Sequence, residues 1–447
     1  MGFKGRLEEI RTGFERPFWV ANVSELFERL AYYAAFASLA NYLHERLNFS
    51  TQQTGALTGF FGGMVWFLAI FGGAVADRLG FRRALSLAYL ILTCAYFLIG
   101  SLGSAWIMPL RSAVPLFGLV AVVLALPALG IAMVKPAVVG TTARSSSENV
   151  RSIGYSIYYT IVNIGGAAGP FVASYVHQHL SVENVFRMSA LCVFLMFFGV
   201  LIFFREPRRS GDAPAPSFAE ASRNFWTVVT NPRFMAFLLI FTGYWIVFWQ
   251  EFIMLPIYIH GYINPKADVE MILMTDATAV IFFQVLINYL TRKIPAFRAI
   301  TIGTLISSLA WLVLASHAAV WAAIASILMV ALGEMIQAPR YYEYISRLAP
   351  AGQQGTYMGF AFLPIGIGSL LGGWLGGSVM HYFGEVVHQP NRAWWVISGI
   401  GVATALLLGI YDRLLKPGEQ AAENWRDGKT EAPALAGPGM PGRHEGL

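Results

Sequence analysis

The stretch Ser24-Glu-Leu-Phe-Glu-Arg-Leu-Ala-Tyr-Tyr33 lies inside the first long apolar segment of the chain. It carries three formal charges, on Glu25, Glu28 and Arg29. On a helix, the spacing i, i+3, i+4 and i+7 places these charges and Tyr32 on one face. A charge at the centre of a bilayer costs about 3 kcal/mol on insertion scales, so such residues normally face a polar interior. The stretch therefore predicts a functional cavity inside a helical membrane protein.

The composition of the whole chain agrees with this prediction. The 447 residues are 56% hydrophobic and only 13% charged, and the mean hydropathy is +0.56, values that soluble chains of this length rarely reach. In a membrane protein the placement of Lys and Arg in the loops matters more than the net charge of +6. We therefore expect a lipid bilayer around the chain and no nucleic-acid partner.

Several other classes of protein find no support in the sequence. The two cysteines, Cys94 and Cys192, lie in apolar segments, so neither a disulfide framework nor a metal site is indicated. The motifs HExxH and GxSxG are absent, so an enzyme is not expected. Residues 1–16 are charged and lack the apolar core of a cleaved signal peptide. No cofactor is expected apart from protons as a coupling ion, and we expect a monomer.

Apolar runs of roughly 20 residues, the length that crosses a ~30 Å hydrocarbon layer, recur along the chain. About twelve are present, at 18–43, 54–76, 84–103, 114–141, 152–177, 185–204, 234–259, 270–290, 299–316, 318–346, 354–381 and 393–411. The longest break between them divides the chain into a first six-helix half (1–204), a basic linker (205–233) and a second six-helix half (234–415). A short surface helix is predicted over 217–230, and the polar, Pro- and Gly-rich tail at 416–447 is expected to be disordered.

The distribution of positive charge predicts the orientation of the chain in the membrane. Most Lys and Arg residues fall at the two ends of the chain and in the loops after even-numbered spans, whereas few fall on the other side: Arg46, Arg111, Arg187, Lys266 and Arg392. Because positively charged loops remain in the cytoplasm, both termini are expected there. We expect the membrane to be the inner (plasma) membrane of a prokaryote.

The loop between the second and third spans contains a recognisable motif. It reads Gly73-Ala-Val-Ala-Asp77-Arg78-Leu-Gly80-Phe-Arg82-Arg83 and resembles the signature loop of the major facilitator superfamily, Gly-x-x-x-Asp-Arg-x-Gly-x-Arg-Arg. In this motif Gly80 permits a tight turn, and Asp77 can latch one closed state by pairing with basic groups or a helix N-terminus. The corresponding loop of the second half, 288–298, lacks the acidic and glycine positions.

The opening stretch itself resembles the Glu-x-x-Glu-Arg-Phe-x-Tyr-Tyr signature of the proton-dependent oligopeptide transporter family. Other segments resemble motifs of that family in the same order, namely Gly130-Ile-Ala-Met-Val-Lys135-Pro136, Tyr155-Ser-Ile-Tyr-Tyr-Thr-Ile-Val-Asn163-Ile-Gly165, Gly333-Glu334-Met-Ile-Gln-Ala-Pro339 and Arg347-Leu-Ala-Pro350. The resemblance covers nearly the whole chain. It implies an all-α major facilitator fold in which two halves rock about a central site.

The resemblance also implies roles for individual residues. Glu25 and Glu28 would exchange protons, while Arg29 would pair with them and, once released, with a substrate carboxylate. Lys135 would be a second cationic partner. The other implied substrate contacts are Tyr32, Tyr33 and Asn163, which would line the pocket, and Glu334, which would face a substrate amino group. These roles make independent physical sense, because a carboxylate beside Arg29 stays ionised and one separated from it in a dry site is protonated more easily.

The seventh span departs from the family pattern Phe-Trp-x-x-x-Glu-Gln. Trp249 occupies the position of that Glu, and Glu251 follows two places later, which corresponds to a rotation of about 200° on a helix. The sequence therefore leaves open whether the Glu251 side chain faces Lys135. Asp276 in the eighth span is a further candidate substrate contact. Arg340 and Glu343 are either cavity residues or a local ion pair near the helix end.

The sequence thus favours a proton-coupled symporter that imports di- or tripeptides by alternating access. A peptide offers a carboxylate to Arg29 and Lys135 and an amine to Glu334. Two alternatives stay open: the same machinery acting on an amino-acid derivative, a dicarboxylate or nitrate, and a proton-linked exporter of amphipathic compounds, for which the aromatic Trp249 is suitable.

Overall fold

The computed structural model describes residues 12–147, 150–207, 226–349 and 354–415. Twelve long helices follow one another through these ranges. They are α1 (Arg16–Asn41), α2 (Thr51–Leu79), α3 (Phe81–Ile99), α4 (Leu116–Arg144), α5 (Arg151–His179), α6 (Val182–Phe203), α7 (Pro232–Phe248 and Gln250–Tyr258), α8 (Val269–Thr291), α9 (Ala296–Ser316), α10 (Val320–Leu348), α11 (Gln354–Phe360 and Leu363–Met380) and α12 (Asn391–Leu415).

The apolar runs predicted the positions of these helices to within a few residues. Two helices are interrupted, which hydropathy does not predict: α7 at Trp249, and α11 between Phe360 and Leu363. A short helix, Met108–Ala113, also precedes α4. The surface helix predicted over 217–230 lies mostly outside the described residues, and the tail at 416–447 lies wholly outside them.

Local sequence signals explain several helix boundaries. At the start of α2, Ser50 Oγ accepts a hydrogen bond from the Gln53 backbone N–H, and Gln53 Oε1 accepts one from the Ser50 N–H, which forms a capping box. Between α2 and α3, Gly80 adopts φ +79°, which confirms the predicted tight turn.

The chain is an integral membrane protein. In the described part of the chain, nine helical segments are long and apolar enough to cross a membrane. Helix α1 is not among them because three charged residues lie near its middle. The helices form two halves, α1–α6 and α7–α12. We call the end of the bundle at which α1 begins and α12 ends the terminal side, and the opposite end the far side.

Glycines allow the two halves to approach closely on the far side. A Cβ atom added to Gly55 of α2 would lie 2.5 Å from the carbonyl oxygen of Gly373 in α11, and one added to Gly59 would lie 2.6 Å from the Gly373 Cα. No side chain fits between backbones at these distances, so the contact requires glycine.

Polar contacts between the halves also cluster on the far side. We call them the far-side latch, formed by Ser38 with Glu270 (3.0 Å), His177 with Glu270 (2.9 Å), Glu45 with His260 (2.5 Å), Ser174 with Asp268 (2.5 Å) and Thr51 with Glu385 (2.5 Å). In each pair one residue belongs to the first half and the other to the second. The halves are therefore joined at the far side of the bundle.

Candidate functional site

The charged face predicted on α1 is formed as a compact ion network. Arg29 Nε donates to Glu28 Oε2 at 2.6 Å and lies 3.5 Å from Glu25 Oε1. Both glutamates are 0% exposed, and Arg29 is 4% exposed. Helix α5 packs closely here, since a Cβ on Gly165 would lie 2.6 Å from the Arg29 Cβ. The close packing of α5 keeps Arg29 beside its two carboxylates.

This network leaves hydrogen-bonding capacity unused. Both oxygens of the Glu25 carboxylate, Glu28 Oε1 and Arg29 Nη2 are buried without a hydrogen-bond partner in the described part of the chain. A buried ion pair stabilises a fold only when its remaining donors and acceptors are satisfied. An arrangement of this kind is poorly suited to a purely structural role and is able to bind protons or a ligand.

Lys135 of α4 lies beside the network but is held by aromatic rings. Its Nζ is 4.4 Å from the centroid of the Trp66 ring and 5.5 Å from that of Phe362, distances typical of cation–π contacts. The ammonium group interacts electrostatically with Glu25 and Glu28. Because Phe362 lies at the break in α11, Lys135 connects the ion network to the second half.

The second half contributes three carboxylates to the interface between the halves. Helices α8 and α10 pack together through Ala279, Val280, Ala331 and Met335. This packing brings Asp276 of α8 near Glu334 of α10, and Glu251 of α7 interacts electrostatically with both. Glu251 therefore interacts with the other acids of its own half, whereas Lys135 interacts with the charges of the first half.

Two tyrosines of the first half interact electrostatically with acids of the second half. Tyr33 interacts electrostatically with Arg29 of its own helix and with Glu334 and Asp276 across the interface. Tyr159 of α5 also faces Glu334 and Asp276. Asn163 donates to the Tyr159 carbonyl oxygen at 2.8 Å, which is a bond within α5. Tyr33 thus links Arg29 electrostatically with Glu334 and Asp276 of the second half.

Trp249, which the sequence analysis treats as a substrate contact, packs among aromatic residues between the halves, and its contact with substrate stays a prediction. Its side chain is 4% exposed, lies 5.5 Å from the Phe36 ring in an edge contact and donates to the Ile365 carbonyl oxygen at 3.1 Å. Phe61 and Phe252 also contact Phe36. We call Phe36, Phe61, Trp249 and Phe252 the aromatic plug, because they fill the space between the halves. Tyr32 stacks on Phe36 of the aromatic plug.

The signature loop is only partly described. Three of its arginines are exposed, namely Arg78, Arg82 and Arg83. The surroundings of Gly73 and of the Asp77 side chain lie outside the part of the chain that the structure describes. The role of Asp77 in holding a closed state therefore stays a prediction. Glu206, which the sequence did not single out, accepts hydrogen bonds from the Phe81 and Arg82 backbone N–H groups at 2.8 Å. The sequence feature that could have identified Glu206 is an acidic residue just after α6, in a chain whose loop 78–83 is basic.

Arg340 and Glu343 form a local ion pair. Arg340 Nη1 lies 2.7 Å from Glu343 Oε2, and Arg347 contacts the other carboxylate oxygen at 2.5 Å. Of the two interpretations open from the sequence, this geometry supports the ion pair near the terminal side.

Comparisons with known proteins agree with the fold and the arrangement of helices. The family model of the Major Facilitator Superfamily matches residues 22–264 and 263–438. Among curated proteins, the Multidrug resistance protein MdtH of Yersinia enterocolitica is 24% identical over 345 residues, which span 77% of this chain and 81% of that protein. Its counterpart in Yersinia pestis (strain Pestoides F) is 23% identical over the same shares.

Solved structures of one transporter family share this architecture. A POT family transporter in complex with a thioalcohol conjugated peptide has a TM-score of 0.75 at 17% identity and covers 89% of this chain and 96% of its own. A POT family transporter in complex with 5-aminolevulinic acid has a TM-score of 0.73 at 16% identity over the same shares. The sequence of this chain resembles the proton-dependent oligopeptide transporter family, and its fold is similar to that of these POT family structures.

Proposed function

This chain belongs to the major facilitator superfamily, and from that premise we propose that it is a proton-coupled symporter that imports di- or tripeptides by alternating access. The observation that carries the proposal is the position of Arg29. It is held between two buried carboxylates on its own helix, and Tyr33 interacts electrostatically both with it and with acids of the second half.

The chemistry follows from competition for Arg29. Protonation of Glu28 removes the charge that holds the guanidinium, which frees Arg29 to bind a substrate carboxylate together with Lys135. Glu25 also binds and releases protons. The carboxylate of Glu334 binds the amino group of the substrate. Because proton and substrate affect the same charges, their binding is thermodynamically linked.

The orientation predicted by positive charge completes the proposal. With both termini in the cytoplasm of a prokaryotic cell, the far side faces outward. The far-side latch and the aromatic plug then close the outer entrance, and rocking of the halves opens it. Peptides enter after the latch separates and leave toward the cytoplasm after it forms again.

Uptake by proteoliposomes under an imposed inward proton gradient tests the proposed substrate. The panel contains radiolabelled Ala-Ala, free alanine, nitrate and a cationic dye. We expect Ala-Ala to accumulate and to be displaced by unlabelled di- and tripeptides. Accumulation of nitrate or alanine without peptide competition would contradict the peptide assignment.

A proton-linked exporter is the second candidate, and two observations favour it. The curated relatives quoted above are called multidrug resistance proteins, and the aromatic plug would present apolar side chains to a substrate once the halves separate. Efflux of the dye from the same proteoliposomes, without competition by peptides, would support this candidate and reject import of peptides.

A further inference from the structure

Three acidic side chains of the second half form a group that the proposed function uses only in part. Glu334 has a role as the partner of the substrate amine, whereas Asp276 and Glu251 have none. The three interact with one another electrostatically, and we call them the acidic wall. Glu251 is 0% exposed, and Asp276 and Glu334 are half-buried.

Several buried polar atoms of this wall have no hydrogen-bond partner in the part of the chain that the structure describes. Both carboxylate oxygens of Glu251 and Oδ1 of Asp276 have no hydrogen-bond partner in the described ranges. The side chain of Tyr244 is fully buried and interacts electrostatically with Glu334 and Asp276. Buried polar groups are nearly always hydrogen-bonded, so these atoms indicate a ligand that supplies donors.

The helical segments that carry Asp276 and Glu251 supply no positive charge to balance the wall. Neither α8 nor the segment Gln250–Tyr258 contains Lys or Arg. Arg340 of α10 is bonded to Glu343. In the first half, by contrast, the two acids Glu25 and Glu28 lie with two bases, Arg29 and Lys135. The second half therefore brings three carboxyl groups to the interface, and neither α8 nor the segment Gln250–Tyr258 carries a base to pair with them.

We infer that the acidic wall binds two cationic groups of one substrate, so that the preferred substrates are dibasic, such as a dipeptide with a Lys or Arg side chain. This inference rests on the proposed function, which places the substrate carboxylate at Arg29 and Lys135 and its amine at Glu334. Asp276 and Glu251 then receive the second ammonium or guanidinium group.

Competition measurements on the intact transporter test this specificity. In proteoliposomes, the concentrations of Ala-Lys, Ala-Ala and Ala-Glu that halve uptake of labelled Ala-Ala are compared. We expect Ala-Lys to be effective at about tenfold lower concentration than Ala-Ala, the effect of one charge-assisted contact. Asp276→Asn should remove this ratio, whereas Asp276→Glu should retain it. Equal potency of Ala-Lys and Ala-Ala on the unaltered protein would overturn the inference, because protons alone would then neutralise the wall.

A binding measurement separates failure of this inference from failure of the proposed function. The Tm of the purified protein is measured with the diamine cadaverine and with pentylamine, a monoamine of the same length. Greater stabilisation by cadaverine, lost in Glu251→Gln and Asp276→Asn, supports a dibasic site even if no peptide is transported. Equal stabilisation by the two amines overturns it, even if Ala-Ala is imported.

Discussion

Arg29 is the residue through which the proposed proton and substrate sites communicate. Its guanidinium lies 2.6 Å from Glu28 and 3.5 Å from Glu25, and Tyr33 interacts electrostatically with it and with Glu334 and Asp276 of the second half. Sequence reasoning predicted the α1 face because the helical period fixes which side chains share a face. It left open whether Glu251 turns inward, because Glu251 lies two places, or about 200° of helical rotation, from the family position. The structure adds a break in the helix at Trp249.

The substitution Glu28→Gln is expected to abolish accumulation driven by a proton gradient. The amide cannot exchange a proton, yet its oxygen still accepts a hydrogen bond from Arg29 and preserves the packing. Counterflow of labelled Ala-Ala, which needs substrate exchange only, should stay measurable in proteoliposomes. If the variant still concentrated the peptide above the outside level, Glu28 would not be the coupling residue.

The substitution Lys135→Ala should weaken binding of substrates that carry a carboxylate. A charge-assisted contact of about 1.5–3 kcal/mol corresponds to roughly a 10- to 150-fold rise in KM. The control substrate is Ala-Ala amide, which lacks the carboxylate, and Lys135→Arg is the charge-preserving variant. An equal loss for the acid and the amide would show that Lys135 only maintains packing between Trp66 and Phe362.

Among the elements, α2 and α11 form the closest contact between the halves. Glycines of both helices lie at this contact, but the spacing of glycines within a helix carries no information about which helix it meets. The same limit applies to the far-side latch, in which residues far apart in sequence pair, such as Glu45 with His260.

The substitution Gly59→Val should prevent the far side from closing. A Cβ there would lie 2.6 Å from the Gly373 Cα, so the helices must separate. Electron–electron double resonance between spin labels at Gly103→Cys and Lys266→Cys, in a background without Cys94 and Cys192, should report a longer distance. Gly199→Val is the control, because a Cβ on Gly199 meets nothing within 4 Å. An unchanged distance in Gly59→Val would contradict the assigned contact.

At the scale of the whole molecule, hydropathy and charge predicted twelve spans in two halves, because a membrane helix must be long and apolar regardless of its neighbours. They could not predict the aromatic plug, since Phe36, Phe61, Trp249 and Phe252 belong to three separate helices whose contact depends on how the halves meet. Nor could they place the acidic wall, which depends on the packing of α8 against α10. These interface features decide which substrate fits.

The central claim is that a proton gradient drives peptide import. The most direct measurement is the steady-state concentration of labelled Ala-Ala inside proteoliposomes under an imposed inward proton gradient, with and without a protonophore. We predict that the peptide rises above its outside concentration and falls back when the protonophore is added. An inside concentration that never exceeds the outside one, with transport otherwise active, would contradict the account.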